Sequence, residues 1–597
     1  MMRSMLIAAV SIWLAAAGTA RAETPENLAF YAYTPNLAQT IGDVAAFTEQ
    51  LGLPSATVRM LPMIIGSAIN NQSLSGVVLD GPWAVVVNPP ADGNWDGPPP
   101  FAIGFTTRGD NFRKGMASRL GEPVEGEGNY LTFSVVTRIF DTEAYSNASS
   151  DAQENYEQFF VESTKPVFVA GGDDYAWYTE DAGMAAGLGG FSLGEIVPLI
   201  DSPVVVAIRP ATVLALVKNA IGTFDLEELV PTQKMLLDLV DHYVGQMGWI
   251  NLGLGADKTG VTVQEAIQGR PGSNFDTYIR AQENGPLTLA GYLPRGAYIL
   301  SDQRVARQDM IMDAFRRFVD TFTSAVLAQT GDDKDAGKAV GVIQKMSSDL
   351  LNLYDKHLAL VGDEVASAIT LDAGGAIGYV VLEKLADPDA FVKFLTGSLG
   401  RDVQSLSMLS TMLGIKVEPD FSGVDAPRLC RQFKVYSYRF AVGPAQADEG
   451  SPLDLGTIDS PQLKMIFENG INFETAVVGD LGITVMTTAK STGIDDLIGR
   501  VADKRPSWDP AQVIPCYPGA NSAGILNYNA LFNAFPATEQ PEQFQALRNV
   551  DLSFPFCSRV ENGVIKVWGT VPASTISQAM NAMGFVPSEG GSDTYGD

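Results

Sequence analysis

The chain of 597 residues is poor in the side chains that most enzymes use for nucleophilic or metal chemistry, because it has only two histidines and three cysteines. So few ligands, scattered along the chain, do not make a recognisable zinc site. The sequence also lacks a P-loop, a dinucleotide-binding fingerprint and a Ser-x-x-Lys motif. These absences argue against nucleotide-dependent enzymes and acylating hydrolases, and we expect no catalytic triad, metal or cofactor.

Basic residues are also scarce, and the formal net charge is -29. Because an anionic surface repels phosphates and no Lys/Arg cluster interrupts it, nucleic acid is excluded as a partner. Residues 1–22 have the pattern of a signal peptide, with Arg3 before the apolar run Met5 to Ala17 and small residues around Ala22. This run of 13 residues is shorter than the roughly 18 that a membrane anchor needs. We therefore expect a mature chain without a transmembrane segment, periplasmic or secreted.

The three cysteines, Cys430, Cys516 and Cys557, all lie in the second half of the chain. In an oxidising compartment an odd number leaves at most one disulfide and one unpaired thiol, and three pairings are open. We favour a disulfide between Cys516 and Cys557, which belong to the last part of the chain and fit neighbouring strands. Cys430 is then predicted to be buried and free.

Short motifs recur in the same order in the two halves of the chain. Ala-Ile-Gly-Phe begins at Ala102 and Ala-Ile-Gly-Tyr at Ala376, and each leads through Asp-x-Phe to Leu-Gly. Tyr-x-Pro occurs at Tyr33 and again at Tyr292. These matches indicate an internal duplication. The predicted organisation is a signal peptide (1–22), a first α+β copy (23–285), a second α+β copy (286–585) and a flexible acidic tail (586–597).

Within each half, alternating strands are followed by amphipathic helices, some of which begin after a proline such as Pro388, as expected at a first helical position. Antiparallel hairpins are indicated around Asp257 to Gly260 and at Asn562-Gly563, the latter a strong tight-turn signal. Hairpins mixed with helices predict an α+β fold. The fold class expected from the sequence is a tandem duplication of an antiparallel sheet with helices packed on one face.

This layout of two α+β copies, with Tyr-x-Pro openings, strand-Pro-helix closings and an export signal, resembles large exported bacterial proteins of unknown function. The resemblance covers the outline of both halves and implies the two-copy architecture. It transfers no activity and no site residue.

Gly190-Phe191-Ser192-Leu193-Gly194 matches the nucleophile elbow of α/β-hydrolases. The elbow requires a buried strand before it, but residues 182–190 contain no β-branched residue. Ser192 and Glu195 instead predict a helix capping box. His242 is predicted to be a surface residue and His357 to lie in the last turn of a helix, and neither comes with a local nucleophile.

Residues 89–100 form a proline-rich insertion that the second half lacks, and Trp95 lies at its centre. Five prolines stiffen this loop toward polyproline II. An exposed tryptophan on a stiff loop is a reasonable contact for a sugar or a peptide, so Trp95 is the candidate binding residue. The alternative is that Trp95 covers the edge of its own domain.

These observations lead to an expected function: an exported, non-enzymatic binding or structural protein of the cell envelope. Its partner would be an unidentified protein or glycan. Two alternatives remain, a carrier of an apolar ligand, suggested by the 18 methionines, and a hydrolase that acts on glycans with carboxylates alone.

Overall fold

The fold is described from a computed structural model of the chain. The structure describes residues 28–88, 99–125, 130–140, 142–146, 159–222, 231–306, 310, 312–314, 316–321, 324, 334–371, 376–397, 415–444, 469–489, 492–514, 516–534 and 542–585. The predicted signal peptide, Trp95 and the predicted tail lie outside the described residues.

The chain divides into two compact units. The first unit comprises Met1–Leu226 and Met247–Gln268, and the second comprises Glu227–Gln246 and Gly269–Asp597. Each is built mainly from antiparallel strands with helices packed against them.

The first unit has strands in the order β10, β9, β8, β1, β2, β3, β7, β6, β5, β4, and the neighbours from β9 to β4 are antiparallel. Their bounds are β1 (Phe30–Thr34), β2 (Trp83–Val87), β3 (Phe101–Thr106), β4 (Val124–Glu125), β5 (Tyr130–Phe140), β6 (Phe160–Ala170), β7 (Tyr175–Thr179), β8 (Val204–Ile208), β9 (Met247–Asp257) and β10 (Gly260–Gly269).

The second unit has strands in the order β21, β20, β19, β11, β12, β13, β18, β17, β16, and β16 also pairs with both β14 and β15. The bounds are β11 (Ile299–Arg304), β12 (Val361–Leu371), β13 (Ile377–Leu385), β14 (Ile415–Asp420), β15 (Arg428–Cys430), β16 (Phe433–Pro444), β17 (Ile471–Val478), β18 (Leu481–Thr487), β19 (Ser522–Asn527), β20 (Ser553–Glu561) and β21 (Val564–Pro572).

Helices connect many of these strands. They are α1 (Leu37–Gln50), α2 (Ala56–Arg59), α3 (Leu61–Ala68), α4 (Asn111–Leu120), α5 (Thr142–Ser146), α6 (Ala182–Leu188), α7 (Pro210–Gly222), α8 (Pro231–Val244), α9 (Asn274–Ala281), α10 (Lys334–Leu358), α11 (Pro388–Gly397), α12 (Ser422–Asp425), α13 (Ile494–Ala502), α14 (Tyr528–Ala534), α15 (Glu542–Leu547) and α16 (Ala573–Ala582). None of the described helices combines the length and the apolar composition needed to cross a membrane.

Helices cover both faces of the sheet in the first unit. Ala176 and Trp177 are consecutive residues of β7, so their side chains point to opposite faces. Trp177 packs in one apolar cluster with Met184 of α6, whereas Ala176 belongs to a second cluster with Phe112 of α4. Each face therefore has its own core and its own helix.

The second unit is arranged in the same two-sided way. Val435 of β16 packs in a cluster with Leu497 of α13, and the next residue, Tyr436, packs in another cluster with Phe391 of α11. The strands are thus buried on both sides by helices and loops.

The predicted fold class, a tandem duplication of an antiparallel sheet with helices packed on one face, is wrong. The described strands are mostly antiparallel and not clearly a tandem duplication, and helices cover both faces of the sheet in each unit. Short repeated motifs encode local strand, turn and helix steps, but the backbone of an edge strand can pair with another strand whatever the sequence. Consecutive apolar residues in strands such as β8 are the sequence sign of burial on both faces.

The local predictions agree better with the structure. Asn562 and Gly563 connect β20 to β21, and both have positive φ, as a type I′ turn requires. The hairpin predicted at Asp257 to Gly260 joins β9 to β10. Pro388 is the first residue of α11, as predicted. The first position of a helix does not need a backbone N–H donor, and proline has none.

Candidate functional site

A cleft of about 530 Å³ lies in the second unit, where β14 to β17 meet the start of α13. Its lining is mainly polar. The charged residues are four acids and two arginines: Asp420, Glu474, Asp495, Asp496, Arg428 and Arg439.

The strand register brings the polar side chains of the cleft together. Ser437 of β16 lies opposite Glu474 of β17, and Arg439 lies opposite Asn472. Because residues two apart on a strand share a face, all four lie on the same side of the sheet. Arg428 of β15 pairs with Val435 and therefore also lies on that side.

Arg428 is held between two carboxylates. Its Nε and Nη2 donate to the two oxygens of Glu474 at 3.0 and 3.1 Å, and its Nη1 lies 2.7 Å from Asp495 Oδ1. A forked pair of this kind fixes the guanidinium in both position and plane. The hydroxyls of Ser437 and Thr492 also donate to Glu474, which completes the shell around this carboxylate.

The electrostatics of the cleft keep its charges in place. Burial opposes the charge of Arg428, but its hydrogen bonds to Asp495 and Glu474 outweigh this effect and raise the Arg428 pKa above its ordinary value. Hydrogen bonds from Ser422 hold the pKa of Asp420 below its usual range. With four acids against two arginines, the lining carries a net negative charge at neutral pH.

The start of α13 forms one wall of the cleft. Gly493 precedes the helix with φ of +69°, and the backbone N–H of Ile494 donates to the Thr492 hydroxyl at 3.4 Å. Asp495 and Asp496 occupy the first turn, where negative charge is favourable next to the exposed N–H groups. The cleft therefore offers carboxylate acceptors and a fixed guanidinium to a ligand. Its lining includes no histidine, and the hydroxyls of Ser437 and Thr492 are already donated to Glu474.

A second polar cluster is buried in the centre of the same unit. Oδ2 of Asp302, on β11, accepts hydrogen bonds from the backbone N–H groups of Leu289 and Ala290 at 3.0 and 2.8 Å and from the Tyr517 hydroxyl at 2.7 Å. Its Oδ1 is buried and has no hydrogen-bond partner among the described residues. Burial, followed by the charge of Glu364, raises the pKa of Asp302 to about 6, although the three donors oppose the shift.

Glu364 on β12 is the other carboxylate of this cluster, and its side chain is completely buried. Both the backbone N–H and the hydroxyl of Thr288 donate to it. Lys384 on β13 forms an ion pair with its Oε2. The cluster thus contains two carboxylates, Asp302 and Glu364, and one ammonium group. It lies inside the core and lines none of the described clefts.

The residues singled out in the sequence do not converge on one site. Cys516 and Cys557 form a disulfide with a Cα–Cα distance of 6.2 Å, and Cys430 is a free, half-buried cysteine. Cys430 follows Arg428 by two residues on β15, beside the cleft. The role assigned to Trp95 stays a prediction, because that residue lies outside the described ones.

The hydrolase-like motif has a structural role. Glu195 accepts a hydrogen bond from the Ser192 backbone N–H at 2.7 Å, and a short 3₁₀ helix, Leu193–Glu195, follows. The capping box predicted at Ser192 and Glu195 is therefore present, although the helix it begins is shorter than expected.

The two histidines differ in their surroundings. His242 is half-buried next to Gln246, and burial lowers its pKa with help from Arg317. His357 lies in the last turn of α10, as predicted, but its Nε2 is 3.0 Å from the buried carboxylate of Glu383. In the described part of the chain, no hydroxyl or thiol nucleophile is bonded to this pair.

Sequence reasoning missed the residues that the structure brings together. Arg428 and Glu474 are 46 positions apart, and only the pairing of β15 and β17 with β16 makes them neighbours. The sequence does contain a signal for Asp302, because this acid lies inside the strand Ile-Leu-Ser-Asp-Gln-Arg and follows apolar residues. A charged residue at an inward strand position indicates a buried polar contact.

Comparison with protein-family models, curated proteins and solved structures finds no match. Within the described ranges, no group of three or more His, Cys, Asp or Glu side chains is placed to hold a metal ion.

Proposed function

We propose that the protein is an exported, non-enzymatic binding protein and that the cleft around Arg428 is its binding site. The observation that supports this proposal is the fixed guanidinium of Arg428, held by Glu474 and Asp495 in a cleft of about 530 Å³. A volume of this size lies within the range of small-ligand sites. Export is part of the proposal because residues 1–22 have the pattern of a signal peptide.

The preferred ligand is polar. Acids outnumber arginines in the lining, so hydroxyl or amino groups of a ligand find more acceptors than donors there. Small ligands with several such groups, such as amino-sugar oligosaccharides and basic peptides, fit this chemistry. The net charge of -29 also favours cationic ligands, because it attracts them over longer distances.

The ion pairing of the acids argues against a glycan hydrolase at this cleft. Two-carboxylate glycosidases need one acid that stays protonated to donate a proton to the leaving group. Glu474 and Asp495 are both bonded to Arg428, and hydrogen bonds from Ser422 hold the pKa of Asp420 below its usual range. An apolar carrier is no better supported here, because the cleft is lined mainly by polar side chains.

The test is a binding measurement on the full mature chain. A panel of chito-oligosaccharides, neutral oligosaccharides, lysine-rich peptides and fatty acids is titrated calorimetrically into the wild type, Arg428→Met and Arg431→Met. Arg431 is a matched control, because it forms a comparable forked pair with Asp503 and does not line the cleft. We expect a polar probe to bind the wild type and Arg431→Met, and to bind Arg428→Met at least tenfold more weakly.

Two results would contradict the proposal. One is a polar probe that binds Arg428→Met as tightly as the wild type, which would place the site elsewhere. The other is exclusive binding of fatty acids, which would favour the carrier.

A further inference from the structure

Two segments of the second unit are fastened to the centre of its sheet by one carboxylate. Leu289 and Ala290 belong to a segment, Leu287–Leu293, whose apolar side chains pack into the core. Their amides and the Tyr517 hydroxyl all donate to the same oxygen of Asp302. Thr288, in the same segment, donates to Glu364. These two acids therefore bind the backbone of the segment Leu287–Leu293, while the carbonyls of Gly291 and Leu293 accept hydrogen bonds from Ser507 and Trp508.

The charges in this cluster do not balance when both acids are ionised. Lys384 compensates Glu364 directly, and no cation is bonded to Asp302 in the described structure. The second oxygen of Asp302 is buried without a hydrogen-bond partner in the same described residues. A buried carboxylate in this position is costly when it carries a full negative charge.

The remaining neighbours of Asp302 include one cation, Arg304, which lies two residues further along β11 on the same face, opposite Glu364. On the strands beside it, Ala366 of β12 and Ala523 of β19 are its register partners. The side of α13 that joins this core cluster is apolar, through Ile494, Leu497, Ile498 and Val501. On its own strand, Arg304 is paired with Asp363.

We propose that Asp302 is a proton-linked latch, which holds the segment Leu287–Leu293 against the sheet when it is neutral and loosens that segment when it ionises. The Cys516–Cys557 disulfide keeps the loop with Tyr517 attached to the sheet, since Cys557 lies opposite Ala523, the register partner of Asp302. The opening is accordingly local to the segment and does not release that loop.

The direction of the pH dependence follows from the geometry and the pKa. Burial first, and then the charge of Glu364, raises the pKa of Asp302 from 3.8 to about 6 in the closed form. An opened segment exposes the carboxyl to water and returns its pKa toward 3.8. Opening should therefore increase about tenfold for each pH unit between about 4 and 6, and level off above that range.

Hydrogen exchange of the full mature chain tests the latch. Mass spectrometry follows the amides of Leu289 and Ala290 from pH 4 to pH 8, with rates corrected for intrinsic exchange. We expect their protection to fall about thirtyfold between pH 4 and pH 6 in the wild type and to be nearly independent of pH in Asp302→Asn. The β17–β18 amides provide an internal control whose protection should not follow this profile.

A second variant keeps the proposal testable if Asp302→Asn does not fold. The Tyr517 hydrogen bond lowers the pKa of Asp302, so Tyr517→Phe should move the upper end of the transition to higher pH. Protection that is independent of pH in the wild type would overturn the latch. So would an Asp302→Asn profile with the wild-type slope, or a Tyr517→Phe transition that does not move.

Discussion

The first unit fills the centre of its sheet with aromatic rings, whereas the second unit buries ionisable groups there. In the first unit Trp177 is fully buried, stacks on Phe191 at 6.0 Å and donates its indole N–H to the Phe191 carbonyl at 2.7 Å. In the second unit Asp302 and Glu364 are fully buried and bind the backbone of a neighbouring segment.

The two units therefore use different side chains to cover the centre of the sheet. Aromatic packing gives stability that changes little with pH, because rings carry no titratable charge. Buried carboxylates give directional bonds to particular loops but make those bonds depend on protonation. The first unit does contain a buried phenol, Tyr31, whose pKa burial raises above its usual value, so it stays neutral. The second unit is therefore the one in which we expect ligand binding and pH response.

The largest effect should come from the aromatic centre of the first unit. Trp177→Ala leaves a cavity and an unpaired Phe191 carbonyl, so we expect a loss of about 4–5 kcal/mol in the free energy of unfolding. Urea unfolding followed by circular dichroism measures it, at pH 5 and at pH 7. A pH-dependent loss, or one below about 1 kcal/mol, would break the comparison.

Next in size is the disulfide of the second unit. Its cysteines are 41 positions apart, and the chain-entropy account gives about 4 kcal/mol for a loop of that length. Replacing Cys516 and Cys557 by serine should lower stability by about 3–4 kcal/mol, and Cys430→Ser is the matched control with little effect. The denaturant midpoints of both variants provide the test, and equal midpoints would mean that the disulfide does not fasten this unit.

The pH dependence should be smaller. Because the folded state binds the Asp302 proton more tightly than the unfolded chain does, its contribution is complete below about pH 4 and is lost as pH rises to about 6. The shift corresponds to about 3 kcal/mol. The unfolding free energy of the wild type should therefore fall relative to Asp302→Asn by about that amount between pH 4 and pH 7. A constant difference between the two proteins over that range would contradict the assignment.

The smallest effect is expected at the cleft. Arg428 is partly exposed, so its ion pairs are screened, and Arg428→Met should lower stability by only about 0.5–1 kcal/mol. Arg431→Met should give no measurable change. Thermal unfolding at low and high salt checks this, and the Arg428→Met effect should shrink in high salt. A loss of several kcal/mol would show that Arg428 serves the fold rather than a ligand.

The local elements could be predicted from the sequence because their causes are local. Asn562-Gly563 supplies the two positive φ values of a tight hairpin, and Pro388 supplies the φ of a first helical residue. The capping box of Ser192 and Glu195 spans only four residues. Such signals depend on neighbours along the chain and not on the rest of the fold.

The arrangement of the sheet and the candidate site could not be predicted in the same way. The residues Ala176, Trp177 and Tyr178 are buried on both faces of their strand. Such a run indicates a strand that is covered on both sides, but the prediction assumed that helices cover only one face of the sheet. Arg428, Glu474 and Asp495 meet only after strands from separate parts of the chain have paired. Trp95 was attractive because its neighbours in sequence are unusual, and its role stays a prediction.

The most direct test of the account is the titration of Asp302 itself. Carbon-13 NMR of protein labelled at aspartate Cγ follows each carboxyl from pH 3 to pH 8, and Asp302→Asn identifies the resonance by its disappearance. The account predicts a midpoint of about 6 for Asp302. A midpoint near the ordinary 3.8 would show that the centre of the second unit accommodates a charged carboxylate, and the contrast between the two units would fail.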